Sequence, residues 1–210
     1  MSGLMMNNFQ KIASAMSLAI IVPLLSACNP SGDSATNAAE EPPLAGAKIG
    51  GSFSLTNQDG EKTSDSDMAG QYRIMYFGYS YCPDVCPVDL QKVMQGLAVA
   101  EKSEPELAKK IQPIFVTIDP ERDGPEQLKQ YVSAFHPRLI GLTGSAEEIA
   151  DVAKKFLIIY NRREVEGMSE YLMDHSRQAY LFGPQGEPLA MLPYDGTPDE
   201  VAAEIQRWVS

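Results

Sequence analysis

The chain has 210 residues, of which 28 are acidic and 17 basic, and its formal net charge is -11. Because such a chain has no excess of basic surface to hold a phosphate backbone, its composition argues against nucleic-acid binding. It contains only three cysteines, which excludes a small fold held by several disulfides and leaves one thiol that a single pair does not explain.

The first 27 residues have the composition of a signal peptide. Lys11 precedes an apolar run from Ile12 to Leu25, which is too short to span a bilayer comfortably. The run leads into Leu-Ser-Ala-Cys, and Cys28 resembles the lipidated cysteine of a bacterial lipobox. This resemblance predicts a membrane-anchored lipoprotein of the bacterial cell envelope, with its domain in the periplasm or outside the cytoplasmic membrane. The alternatives are an ordinary secretory signal or an uncleaved anchor, in which Cys28 has no special role.

Residues 28–45 are predicted to form a flexible tether. They are mostly small, polar or proline, and they offer almost nothing to bury. The remaining residues, 46–210, form a stretch in which a single core buries about 70% of the unfolded surface. We therefore expect one globular domain attached to the tether.

Within this domain, short apolar runs alternate with amphipathic stretches, which predicts strands and helices in turn. The predicted elements are a strand at 53–56 with a turn at 57–60, a strand at 73–79, a helix with an apolar stripe from 90 to 98, a strand at 112–119, a helix from 125, a strand at 139–142, a helix capped by residues 145 and 148, a hairpin at 178–192 and a helix from 197. Such alternation is typical of a central, partly parallel sheet with helices on both faces.

Two cysteines, Cys82 and Cys86, lie three residues apart at the predicted start of the first helix. Pro87 suits the first helical position, so Cys86 is predicted to be the N-cap residue. The free N–H groups and the positive end of the helix dipole are expected to favour thiolate over thiol at both sulfurs. This spacing permits either a disulfide or the binding of one soft metal ion, Cu(I) or Zn(II), by both sulfurs.

Three segments make the interpretation more specific. Residues 76–87 (Tyr-Phe-Gly-Tyr-Ser-Tyr-Cys-Pro-Asp-Val-Cys-Pro), 116–123 (Val-Thr-Ile-Asp-Pro-Glu-Arg-Asp) and 174–176 (Asp-His-Ser) resemble, in this order, the Sco/SenC family of thioredoxin-like copper proteins. The resemblance implies an α/β fold with a central mixed sheet, flanking helices and an added hairpin. It also implies that Cys82, Cys86 and His175 bind copper. We expect His175 in the loop before the strand that begins at residue 178.

The resemblance further implies a metallochaperone rather than an enzyme. Such a protein would deliver copper to the dinuclear copper site of cytochrome c oxidase, or maintain the thiols of that site. Its partner would be the copper-site subunit of the oxidase or another copper protein. Two thiolates and one imidazole suit three-coordinate Cu(I), whereas Zn(II) normally takes a fourth ligand.

The same two cysteines also permit a redox function. A disulfide between Cys82 and Cys86 would abolish metal binding, so the redox state of the pair would control it. The alternative function is therefore a thiol-disulfide oxidoreductase that uses Cys82 and Cys86 to reduce the cysteines of a partner.

Several polar residues near these motifs are left out of the metal set. Asp174 either orients His175 or is a solvated acid, and Asp119 and Asp123 either line the site or only form a turn. His136 is rejected as a ligand because it ends an amphipathic helix, where a cation is favourable. The acidic residues between 164 and 174 form either a docking surface for a basic partner or a solvated loop.

Overall fold

The computed structural model describes residues Glu40–Ser210. The predicted signal peptide and Cys28 therefore lie outside the described residues, as does most of the predicted tether. At the end of the tether, the backbone N–H of Leu44 donates to the carbonyl oxygen of Leu189 over 2.9 Å, and Glu40 forms an ion pair with Arg207. Residues 40–45 thus lie against the domain. No helix within Glu40–Ser210 is long and apolar enough to cross a membrane.

The domain contains nine strands in two sheets. They are β1 (Ser54–Asn57), β2 (Lys62–Ser64), β3 (Tyr72–Gly78), β4 (Ile111–Thr117), β5 (Ile140–Thr143), β6 (Tyr160–Arg163), β7 (Leu172–His175), β8 (Ala179–Phe182) and β9 (Pro188–Leu192). Seven of them form a mixed sheet in the order β2-β1-β5-β4-β3-β8-β9, in which β3, β4 and β5 are parallel. β6 and β7 form a separate antiparallel hairpin. The observed sheet confirms the predicted α/β architecture.

Helices flank the central sheet. They are α1 (Val85–Ser103), α2 (Pro105–Ala108), α3 (Pro125–Ser133), α4 (Ala146–Lys155) and α5 (Pro198–Trp208). The sequence signals for α4 and α5 are confirmed, because Ser145 with Glu148 and Thr197 with Glu200 form complete capping boxes. α1 packs closely on α5, since a Cβ atom on Gly96 would clash with the side chain of Val201.

The two central strands place the functional motifs at one edge of the sheet. All seven residues of β3 are buried, as is expected of a strand covered on both faces. β3 and β4 run parallel in a register that pairs Gly78 with Thr117 at their carboxyl ends. The loop that carries Cys82 and the loop that begins at Ile118 therefore leave the sheet side by side.

Two expectations about this edge are wrong. α1 begins at Val85, with Asp84 as its N-cap residue, so Cys86 lies inside the first turn rather than at the cap. Pro87 is accommodated there because the first N–H groups of a helix have no intrahelical partner. His175 is the last residue of β7, not part of a loop. The hairpin escapes sequence reasoning because β6 is mostly exposed and lacks alternating apolar residues.

Candidate metal centre

Cys82 and Cys86 meet at the first turn of α1. The backbone N–H of Cys86 donates to Sγ of Cys82 over 3.4 Å, whereas the N-cap residue Asp84 makes no side-chain hydrogen bond to the helix. The Cys82 sulfur thus takes the place of a capping acceptor at the positive end of the helix. Both cysteines are free thiols; Cys86 is buried and Cys82 is half-buried.

His175 approaches this pair from the separate hairpin. Its Nε2 lies 3.0 Å from Sγ of Cys86, and its Nδ1 lies 2.7 Å from the backbone carbonyl oxygen of Ser176. Since a carbonyl only accepts, Nδ1 carries the proton and Nε2 keeps its lone pair, which faces the sulfur. The ring also meets Tyr79 edge-on, with 6.0 Å between the ring centroids. The imidazole is therefore oriented for binding through Nε2.

The expectation that both sulfurs favour the thiolate is wrong for Cys86, because the two thiols differ in their affinity for a proton. A hydrogen bond from Cys86 is the main cause that lowers the pKa of Cys82 to about 3, and the N–H groups of the helix start add to it. The same hydrogen bond, together with burial, raises the pKa of Cys86. At neutral pH the pair therefore holds one proton, with the negative charge on Cys82.

These residues suit copper by their chemistry. Two soft sulfur donors and one imidazole nitrogen with a free lone pair converge at the start of α1, and this donor set favours Cu(I). Within Glu40–Ser210, however, no three His, Cys, Asp or Glu side chains are arranged as a complete cage for an ion. In the structure, Cys86 and His175 are in contact, and the Cys82 sulfur is bonded to the helix backbone.

The other candidate residues lie outside this donor set. The carboxylate of Asp174 is exposed and pairs with Arg163 at 3.0 Å, so the geometry favours the solvated acid over an orienting role for His175. His136 is buried, and its Nε2 faces a carboxylate oxygen of Glu101 at 3.2 Å. Asp119 and Asp123 are buried; Asp119 accepts a hydrogen bond from the hydroxyl of Tyr171, and Asp123 accepts one from the backbone N–H of Ser80. Burial raises the pKa of Asp123.

The sequence does not predict an ion pair that Arg177 and Asp89 form close to Cys86 and His175. Arg177 donates to both carboxylate oxygens of Asp89 at 2.8 and 2.9 Å, and the hydroxyl of Tyr76 donates to the same carboxylate at 3.2 Å. Asp89 is buried and lies one turn after Cys86 on α1, while Arg177 lies two residues after His175. The pair thus connects the helix that bears the cysteines to the segment that bears the histidine. The sequence signal for this pair is the position of Asp89, three residues after Cys86 and therefore on the same side of α1.

The acidic stretch beside His175 is largely paired. Glu164 lies 2.8 Å from Arg162, Glu170 lies 3.7 Å from Arg122, and Asp174 pairs with Arg163. Since these arginines neutralise much of the local charge, the stretch does not present a uniformly acidic surface to a basic partner.

Comparison with known proteins identifies the relatives of this chain. The SCO1/SenC family model matches residues 41–210. The mitochondrial SCO1 homolog 1 of Arabidopsis thaliana is 44% identical over 149 residues, which cover 70% of this chain and 43% of that protein. The chain thus matches about half the length of several such curated relatives.

Solved structures share the fold. Copper-bound ScoI of Bradyrhizobium japonicum is 36% identical with a TM-score of 0.69, covering 77% of this chain and 99% of that one. BsSco, described as having a disulfide switch and as a member of a family of cytochrome c oxidase assembly proteins, is 25% identical with a TM-score of 0.59, covering 80% and 97%. A Bacteroides vulgatus thioredoxin domain, 15% identical with a TM-score of 0.52 and coverages of 77% and 96%, shows the fold alone. The expected thioredoxin-like fold is confirmed.

The prediction of a bacterial cell-envelope location is wrong. Curated relatives from Arabidopsis, human and mouse are described as mitochondrial, although a Rickettsia conorii relative is bacterial. The location was predicted wrongly because an apolar run before a cysteine is a feature of local composition. Such a run does not by itself specify a compartment.

Proposed function

Because the chain belongs to the SCO1/SenC family, we propose that its domain binds one Cu(I) ion through Cys82, Cys86 and His175. The single observation that carries this proposal is the 3.0 Å approach of His175 Nε2 to the sulfur of Cys86. It brings a histidine lone pair from a separate hairpin to the start of the cysteine-bearing helix. A thioredoxin-like reductase has no need of such an imidazole, whereas a copper site does.

The protonation states prepare the site for a metal ion. Cys82 is already a thiolate at neutral pH, so it binds without losing a proton, while Cys86 must release its proton when the metal enters. His175 is held with Nε2 free by its bond to the Ser176 carbonyl. Three protein donors leave room for a fourth, so ligands of an acceptor can enter one at a time and take over the ion.

We propose that the acceptor is the dinuclear copper site of cytochrome c oxidase. The description of BsSco as one of a family of oxidase assembly proteins supports this partner. Apolar side chains beside the donors would suit a protein surface: Tyr81 precedes Cys82, and Ile159 is hydrogen-bonded to Ser176, next to His175. These two side chains are 47% and 72% exposed.

A second candidate function is reduction of a partner disulfide. It is favoured by the contrast between a half-exposed Cys82 thiolate and a buried Cys86 thiol. Cys82 would attack one sulfur of the partner disulfide and release the other as a thiolate. Cys86, once deprotonated, would then attack the Cys82 sulfur of this mixed disulfide and release the partner's remaining sulfur as a second thiolate. The products are a reduced partner and a Cys82–Cys86 disulfide, which a reductant such as a dithiol must reopen.

Anaerobic titration against a Cu(I) competitor tests the proposal. We expect one Cu(I) per wild-type domain, an affinity at least about tenfold lower for His175→Ala, and no change for His136→Ala. The second variant is a matched control because the chain has only two histidines. Equal affinities for wild type and His175→Ala would remove His175 from the site. Full-rate reduction of a disulfide partner without copper would instead give priority to the reductase function.

Lipidation of Cys28 stays a prediction from the sequence. The residue lies outside the described part of the chain, and its support is the Leu-Ser-Ala-Cys motif alone. Mass spectrometry of the mature N terminus tests it, since a lipidated Cys28 has a mass that an unmodified cleaved end elsewhere does not.

A further inference from the structure

One short loop contacts both halves of the metal centre. Residues 119–123, Asp-Pro-Glu-Arg-Asp, follow β4 at the edge of the sheet where the cysteine loop also begins. The proposed copper ligands do not include them. Three of their side chains are nevertheless withdrawn from solvent: Asp119 and Asp123 are buried, and the side chain of Arg122 is 12% exposed. Charged groups placed in this way need partners.

The last residue of the loop holds the cysteine segment. Asp123 is fully buried and accepts hydrogen bonds from the backbone N–H of Ser80 at 2.9 Å, from the Ser80 hydroxyl at 2.5 Å and from the hydroxyl of Thr117 at 2.7 Å. Ser80 lies two residues before Cys82. This end of the loop therefore fixes the backbone that leads into the first metal-binding residue.

The other residues hold the histidine hairpin. Arg122 pairs with Asp119 through Nε, and its Nη1 donates to the backbone carbonyl oxygen of Tyr171 over 2.9 Å. The hydroxyl of Tyr171 donates to Asp119 over 2.7 Å, and the guanidinium lies 3.6 Å from the centroid of the Tyr171 ring. Tyr171 immediately precedes β7, which ends at His175. The hairpin is thus bonded to the loop by both backbone and side chain.

The hairpin needs such contacts because it is not part of the central sheet. Among the strands of Glu40–Ser210, β6 pairs only with β7, and a two-stranded hairpin by itself is marginally stable in water. Its contacts with the rest of the domain therefore set where His175 lies relative to Cys86. On the strand itself, the backbone N–H of Met173 donates to the hydroxyl of Tyr79 over 3.2 Å, and Tyr79 in turn lies beneath Arg122, 5.6 Å from its guanidinium carbon.

We propose that Arg122 is a positioning residue that holds the His175 hairpin at metal-binding distance from the cysteine loop. Asp119 and Tyr171 complete this connection, and Asp123 fixes its other end. The inference rests on the proposed function, in which Cys82, Cys86 and His175 bind Cu(I). Without the connection, the three donors remain but the hairpin moves, so the protein loses the contribution of His175 to the affinity.

A double-mutant cycle on the full chain tests this role. We expect Arg122→Gln to lower the Cu(I) affinity about 10- to 100-fold but to change it less than about twofold when His175 is already alanine. Tyr171→Phe removes only the hydroxyl that bonds Asp119. It should lower the Cu(I) affinity by a smaller factor, and this loss should also disappear when His175 is alanine. Glu126→Gln, an exposed acidic position in the first turn of α3, is the matched control and should leave the affinity unchanged.

A second measurement uses the metal-free protein. In wild type we expect one sharp set of imidazole carbon-proton NMR signals from His175, and in Arg122→Gln we expect broadened or shifted signals, while those of His136 stay fixed. Arg122→Lys keeps the charge but lacks the forked geometry of the guanidinium, so it should restore little of the Cu(I) affinity or of the wild-type His175 signals. The proposal is overturned if Arg122→Gln binds Cu(I) as tightly as wild type, or if its loss is equal with and without His175. Failure of wild type to bind Cu(I) would instead overturn the proposed function.

Discussion

Removal of the Arg177 guanidinium should destabilise the domain by about 2–3 kcal/mol. In Arg177→Met the apolar stem is kept, but the carboxylate of Asp89, whose side chain is only 2% exposed, retains only the hydroxyl of Tyr76 as a partner. Removing one member of a buried ion pair costs about 3–5 kcal/mol. The Arg177 side chain is 40% exposed, so water reaches one side of the pair and reduces the loss.

Urea unfolding of the reduced, metal-free protein measures this loss. Arg163→Met is the matched control, because its pair with Asp174 has side chains that are 50% and 59% exposed, and it should cost less than about 1 kcal/mol. The double variant Asp89→Asn/Arg177→Met should recover about 1–2 kcal/mol, since a neutral amide needs no cation. The reasoning fails if Arg177→Met loses no more than Arg163→Met, or if the double variant is no more stable than Arg177→Met.

Three further predictions concern the packing of α1 and the thiol pair. Gly96→Ala should lower the free energy of unfolding in urea by about 1–2 kcal/mol, because overpacking against Val201 outweighs the gain in helix propensity. As the control, Gln95→Ala at an exposed position should change this free energy by less than about 0.5 kcal/mol. An equal loss at both positions would contradict the packing argument. Iodoacetamide at pH 5 should label Cys82 before Cys86 by mass spectrometry, because Cys82 is a half-exposed thiolate with a pKa of about 3; preferential labelling of Cys86 would reverse the assignment. Since the folded pKa of Cys82 lies below its ordinary value of 9.0, its stabilisation is complete above pH 9 and is lost as the pH falls toward 3. Chemical denaturation should therefore show a steeper loss of stability from pH 8 to pH 5 for wild type than for Cys82→Ser, and parallel curves would contradict it.

The sequence predicts those elements whose signals are local. β3 is a continuous apolar run, and α4 begins with Ser145 and Glu148, so burial and capping are both visible in a short window. The proposed copper ligands come from the family resemblance, since the spacing of the cysteines alone left Cu(I), Zn(II) and a disulfide open. The structure adds that His175 Nε2 faces Cys86, because the bond from Nδ1 to Ser176 depends on the backbone of the hairpin.

The features that the sequence does not predict depend on distant partners. β6 reads Tyr-Asn-Arg-Arg and has no apolar alternation, so nothing in its window indicates a strand. Its position depends on β7 and on the contact between Arg122 and Tyr171, which lie 49 residues apart. The start of α1 was misplaced for a related reason: proline is tolerated throughout the first turn, so Pro87 limits the helix start without fixing it.

The three proposed donors are held to different degrees, and this difference bears on copper transfer. Cys86 is buried within the first turn of α1, and His175 is braced by Arg122 before it and by Arg177 after it. Cys82 is half-buried in the loop before the helix, and its sulfur accepts a backbone N–H at 3.4 Å. Ligand exchange begins at the donor that an incoming group can reach and that moves at least cost. In the proposed transfer, an acceptor thiolate should therefore displace Cys82 first, while Cys86 and His175 still hold the ion.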